Sequence, residues 1–119
     1  MEQSFVMYIF VNTDLNMSKG KIASQVGHVV QLITEEIIRS AYEQHPVPAS
    51  YFSYMKWKTN CKKIVLKATT EQLKILMQQK EARHIIDNGK TQVPSNSLAV
   101  VGFYPSSTLS ELVSDYKLL

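Results

Sequence analysis

The chain has one cysteine, Cys61, among its 119 residues. No internal disulfide can form, and a reducing compartment suits such a sequence. Histidines are few and no Cys-x-x-Cys pair occurs, so a structural zinc site is not expected; neither metal nor cofactor is called for. No apolar run approaches the roughly 18 residues that a membrane span needs. The opening Met1-Glu2-Gln3-Ser4 lacks the basic start of a signal peptide and leads straight into an apolar segment. A cytoplasmic protein without a membrane anchor is therefore expected. Glycines are too sparse to build a nucleotide loop of the G-x-G-x-x-G or G-x-x-x-x-G-K-[ST] kind. A Gly-x-Ser-x-Gly elbow is also missing, which removes the usual nucleophilic serine. There are no repeats, low-complexity tracts or linkers, and the length suits a single domain over residues 1–119.

What is present reads as alternating strands and helices. Val6 to Val11 is apolar without alternation, as in a central strand covered on both faces. A helix is predicted from Ser18 to about Gln44, ended by Pro46 and Pro48, with Ile22, Val26, Val29, Val30, Ile33 and Ile37 on its inner face. Ala23 and Gly27 are placed against the sheet. Tyr51, Tyr54 and Met55 fall at helical spacing and read as core, with Trp57 as an edge anchor. Lys56, Lys58, Lys62 and Lys63 interleave with these aromatics, an arrangement that can also serve bases and phosphates. Ile64-Val65-Leu66 is a short strand. Thr69 to Gln72 is a capping box opening a second inner helix. His84 to Asp87 is extended, with His84 structural; Pro94-Ser95-Asn96 is a turn, and Ser97 to Tyr104 the last strand. Thr108 to Glu111 reads as a further capping box before a short final helix. The order β-α-(α)-β-α-β-β-α predicts an α/β protein, a three-layer α/β/α sandwich on a small mixed, mostly parallel four-stranded sheet.

The stretch from Asp14 to His28 carries the chemistry. It joins a strand to a helix N-terminus through a short loop with Lys19, Gly20 and Lys21, which makes an anion site. Asn16 or Ser18 can cap the helix, and Gly20 lets its first turn approach a ligand. Lys21, Gln25 and His28 lie at i, i+4 and i+7, within about 60° of one another on the helical wheel. The alternative is a solvated, lysine-capped helix flank.

This stretch resembles the signature of the second, archaeal and eukaryotic, family of peptidyl-tRNA hydrolases, approximately D-[LI]-x-M-x-x-G-K-x-A-x-Q-x-x-H-A. Asp14, Leu15, Met17, Gly20, Lys21, Ala23, Gln25 and His28 stand in register with it. Asp87-Asn88-Gly89-Lys90-Thr91-Gln92 resembles the family's D-A-G-x-T-Q, Asn60 to Lys67 its G-Q-x-K-V-V-L-K strand, and Lys117-Leu118-Leu119 its usual ending. The chain departs from the pattern at Val26, Gly27 and Val29 around the histidine and at Asn88. At Gly102-Phe103-Tyr104-Pro105, aromatics stand where the family has Gly-Ile-Gly-Pro.

The resemblance implies hydrolysis of the ester joining a peptide to the terminal ribose of tRNA. Its blocks imply Lys21, Gln25, Asp87 and Thr91 as the catalytic set. Substrate contacts are expected from Lys19, Gly20, His28, Gly89, Lys90 and Gln92, with Lys19, Lys90 and Lys62 on tRNA phosphates. A lone histidine on a helix flank is more often structural, and His28 is counted as a supporting group. Peptidyl-tRNA is the expected partner; neither DNA nor a membrane is, and homodimerisation is left open. The net charge of +3 agrees weakly with a polyanionic partner. The competing readings are a non-catalytic basic module that holds tRNA or another phosphate ligand, and an interaction adaptor.

Overall fold

The structure, a computed structural model, describes residues 4–89 and 96–119. Four strands form one sheet: β1 (Met7–Asn12), β2 (Lys63–Ala68), β3 (Ala82–Asp87) and β4 (Ser97–Phe103), in the order β2-β1-β4-β3. Two helices, α1 (Lys19–Glu43) and α2 (Ala49–Trp57), connect β1 to β2, α3 (Thr70–Leu76) connects β2 to β3, and α4 (Ser110–Val113) follows β4. β1 and β2 pair in parallel, while β4 runs antiparallel to both β1 and β3. Three strands thus point one way and β4 alone points back. The sheet is mixed, as expected, but it is mostly parallel only in strand direction. Only one of its pairings is parallel, because β4 inserts between β1 and β3.

The unalternated run at the start of the chain is explained by these layers. Met7, Ile9 and Val11 pack under α1 and α2 with Val29, Ile33, Ile37 and Trp57. Phe10 points to the opposite face, among Leu66, Leu73, Leu76 and Phe103, with α4 residues Leu112 and Val113 packed on it. A central strand needs apolar side chains in both directions. Each such side chain contributes about 1.5–3 kcal/mol on burial.

Local signals fix the ends of α1. The Ser18 hydroxyl accepts from the Lys21 N–H at 3.2 Å, and the helix ends at Glu43, three residues before Pro46. The capping box of α3 forms in both directions, Thr69 with Gln72. That of α4 does not form. Leu109 is the residue before α4 and gives no side-chain cap, while the Thr108 hydroxyl pairs with Ser106. Tyr51 and Tyr54 pack on the core as expected, whereas Met55, expected with them, is exposed; the indole N–H of Trp57 donates to the Lys62 carbonyl at 2.7 Å.

The expectation that Ala23 and Gly27 let α1 approach the sheet is corrected. Both are exposed, and a Cβ on Gly27 would meet nothing within 4 Å. Close approach is granted from the sheet side by Gly102, where a Cβ would sit 3.0 Å from Val29 Cγ2 and 3.1 Å from Ile33 Cδ1. The aromatics after it lie away from the loop ahead of α1. Phe103 packs edge-on to Phe10 in the opposite layer, and the Tyr104 hydroxyl donates to Glu36, which also pairs with Arg83 at 2.6 Å.

A bulge shapes the other end of β4. Ile85 pairs with Val100 but Ile86 pairs with Leu98, leaving Ala99 unpaired. Ala99 and Val100 both join the α1 layer, and Leu98 returns to the other. Lys117–Leu119 runs along the outer edge of β2, where the Lys67 N–H donates to the Lys117 carbonyl and the Leu119 N–H to that of Val65. Among the described residues no helix is long and apolar enough to cross a membrane.

Candidate active site

Strand alternation sends Arg83, Ile85 and Asp87 toward α1. On α1, Gln25 heads the buried line continued by Val29, Ile33 and Ile37, and Lys21 stands one turn before it. The end of β3 and the start of α1 therefore meet. Asp87 Oδ2 lies 2.6 Å from Lys21 Nζ and accepts from Gln25 Nε2 at 2.5 Å. Asp87 Oδ1 accepts the Gly89 N–H at 2.7 Å, in a turn that Gly89 closes with φ of 72°. Only a residue without Cβ adopts that conformation freely.

Asp87 is 3% exposed and the Lys21 side chain 15%. A carboxylate that deep needs compensation, and it has it on both oxygens. The Lys21 ammonium first, then the Gly89 N–H, hold its carboxyl below the usual carboxylate range, against the opposing effect of burial. Among the described residues one buried polar atom is left over: Gln25 Oε1 has no hydrogen-bond partner there. Buried acceptors are nearly always paired, so an open one beside a fixed charge marks a place for a ligand or water.

These groups line a cavity of about 210 Å³ with His28, Ile85, Ile86 and Asn88. His28 borders it from the exposed flank of α1, with Nε2 3.4 Å from Ser24 Oγ. Gly20, in the first turn, would place a Cβ in open space. Lys19 is on the other flank of α1, beside a separate apolar cavity with Ile22, Val26, Val65 and Leu118, and does not join the cluster. Lys90, Thr91 and Gln92, and the turn residues Pro94 and Ser95, lie outside the described residues. Lys62 precedes β2, at the amino ends of the co-directional strands, whereas Asp87 closes β3 at their carboxyl ends. Lys56 and Lys63, stacked over Phe5 and Trp57, sit at that far end too. Among the described residues no group of His, Cys, Asp and Glu could hold a metal ion.

The sequence reading missed a second network at the same end of the sheet. Asn12, buried at the end of β1, donates from Nδ2 to Thr70 Oγ1 at 2.8 Å and to the Leu98 carbonyl at 2.7 Å, and accepts the Asp14 N–H at 2.9 Å. Asp14 in turn accepts the Thr70 N–H at 2.8 Å. One asparagine thus ties the loop before α1 to the starts of α3 and β4. The only signal in the sequence was a polar residue closing an apolar run.

An ammonium, a carboxylate and an open amide oxygen share one cleft, at the carboxyl ends of the strands and the first turns of a helix. That is the usual place for a ligand site in an α/β protein, and this set suits electrostatic catalysis without a covalent nucleophile. The sequence model of the Peptidyl-tRNA hydrolase PTH2 family matches residues 5–119, and the chain belongs to that family. It is 36% identical to a peptidyl-tRNA hydrolase of Staphylothermus marinus, an alignment covering 93% of this chain and 92% of the relative. It is 32% identical to a peptidyl-tRNA hydrolase of Sulfolobus acidocaldarius, covering 95% and 98%. A probable peptidyl-tRNA hydrolase 2 of Schizosaccharomyces pombe is 35% identical over 94% of this chain and 55% of its own, longer sequence.

Proposed function

We propose that this protein hydrolyses the ester between an N-blocked peptide and the terminal ribose of tRNA, returning free tRNA to translation in the cytoplasm. The observation that carries the site assignment is the Lys21–Asp87–Gln25 cluster in its small cleft. Lys21 stabilises the negative charge that develops on the ester carbonyl oxygen as water attacks. Such a preorganised group is worth about 10²–10³ in rate. Asp87 holds Lys21 in place. A carboxyl held below its ordinary range is a weak proton acceptor, which favours this anchoring role over proton abstraction. The open Gln25 Oε1 accepts a hydrogen bond from the attacking water and so orients it. Water adds to the carbonyl carbon and the bond to the ribose oxygen breaks; one proton of the water ends on that oxygen and the other is released to solvent, leaving a peptide carboxylate. Thr91 and Gln92 are assigned to the cleft on the motif alone, with Lys19 and Lys90 on phosphates of the RNA. No metal or cofactor takes part in this scheme.

The test is release of labelled N-acetyl-amino acid from charged, N-blocked tRNA by the purified protein in the presence of a chelator. Release is expected, with free tRNA as co-product. Tight tRNA binding without release would return the non-catalytic binding module to first place.

A further inference from the structure

The two edges of the sheet differ. The outer edge of β2 is paired by Lys117–Leu119, while β3 has no partner on its outer side among the described residues. The carbonyls of Glu81, just before β3, and of Asp87, its last residue, accept from Tyr104 and Asn96, on the side of β4. Backbone groups alternate along a strand, so the N–H and C=O of His84 and Ile86 point outward. Those of Ala82 are already engaged, by the Gln79 carbonyl and the Arg83 guanidinium. An open row of this kind is a template for an added strand. It is also continuous with the cleft. Ile85 and Ile86 send their side chains to opposite faces, yet both line the cavity of Lys21 and Asp87. The cavity therefore wraps over the outer edge of β3 between them.

We propose that this edge receives the peptide part of the substrate as an additional strand, parallel to β3. The inference rests on the hydrolase reading above. Its direction follows from the chemistry: the ester sits at the carboxyl end of the peptide, and β3 reaches the cleft at its own carboxyl end, Asp87. Parallel addition brings the ester to Lys21 with the peptide trailing beside Ile86 and His84; antiparallel addition would carry the ester away toward Ala82. At roughly 3.3 Å per residue the open edge matches three or four peptide residues. A main-chain ladder does not read side chains, which suits a substrate whose peptide is of any sequence.

The experiment measures kcat/KM for tRNA carrying N-acetylated peptides of about one to five residues, then repeats it with single N-methylated residues. Efficiency is expected to rise with length and level off near four residues. N-methylation should lower it roughly three- to tenfold at every second residue and little between. His84→Pro removes one outward donor and leaves the β4 side of the ladder intact. It should abolish the gain from the longer peptides and leave cleavage of N-acetyl-aminoacyl-tRNA unchanged. If that variant does not fold, the N-methyl series decides alone. Cleavage independent of length, or N-methyl losses without alternation, would overturn the added strand while leaving the hydrolase reading in place. Absence of cleavage for every substrate would overturn both.

Discussion

Lys21 Nζ lies 2.6 Å from Asp87 Oδ2, joining the first turn of α1 to the last residue of β3. Two halves of the chain that are remote in sequence thereby make one charge pair, and the pair is the point at which catalysis and simple RNA binding part company.

Removing either member should not act like removing the other. Asp87→Asn is nearly isosteric and should lower kcat by about 10²–10³, with tRNA affinity similar or higher because a carboxylate near phosphates is gone. Lys21→Ala should lower both kcat and affinity. The double variant should be little worse than the poorer single one, since both losses fall on one unit. Single-turnover ester cleavage at saturating enzyme measures this. Multiplicative losses, or normal cleavage by Asp87→Asn, would remove the pair from the catalytic unit.

The pH dependence has a definite sign. Lys21 and Gly89 lower the folded pKa of Asp87 from the ordinary 3.8. A depressed carboxyl contributes stability that is fully present above its unfolded pKa and is lost as pH falls through the folded one. The Tm difference between the wild type and Asp87→Asn should stay level from neutrality to about pH 4 and close below it. A difference closing at roughly pH 5 to 7 would place Asp87 in the general-base range instead.

Gly102→Ala tests the contact that seats α1. The added methyl meets Val29 and Ile33 at 3.0–3.2 Å, and overpacking of this kind costs about 1–3 kcal/mol. Ile33→Val deletes the Cδ1 atom at 3.1 Å and should recover part of that cost in the double variant. Urea denaturation of the four proteins reads the cycle; additive costs would show that the two positions do not press on each other.

Cys61 is exposed, with φ of 53°, just ahead of β2 and at the opposite end of the strands from Asp87. Cys61→Ser and alkylation of the thiol should both leave ester cleavage unchanged. Inactivation with the fold preserved would bring covalent cysteine catalysis forward.

Much of this was legible because it is local. Ser18, Pro46 and the apolar period bound α1 to within a residue at each end, and Thr69 with Gln72 announced α3. What failed depends on geometry that no window of sequence contains. Ala23 and Gly27 are small and four apart, but the turn of the helix that faces the sheet is set by Val29 and Ile33, and the space is made by Gly102. Thr108 had the spacing of a cap, yet Ser106 takes its hydroxyl. In the cleft, Lys21, Gln25 and Asp87 were found through motif blocks; that Gln25 stands in line with the core residues, with one oxygen open, needed coordinates. Asn12 was invisible, because a single asparagine after a strand has the same spelling whether it ends in solvent or ties three segments together.

The place of β4 bears on how the protein is made. This strand comes late in the chain but fills the gap between β1 and β3. Until Ser97–Phe103 has been synthesised, β1 has one open side and β3 has no strand neighbour among the described residues. A nascent chain leaving the ribosome can form α1 early, but the sheet cannot close strand by strand in the order of synthesis. Lys21 and Asp87 are then held together only once residues translated after both of them have arrived.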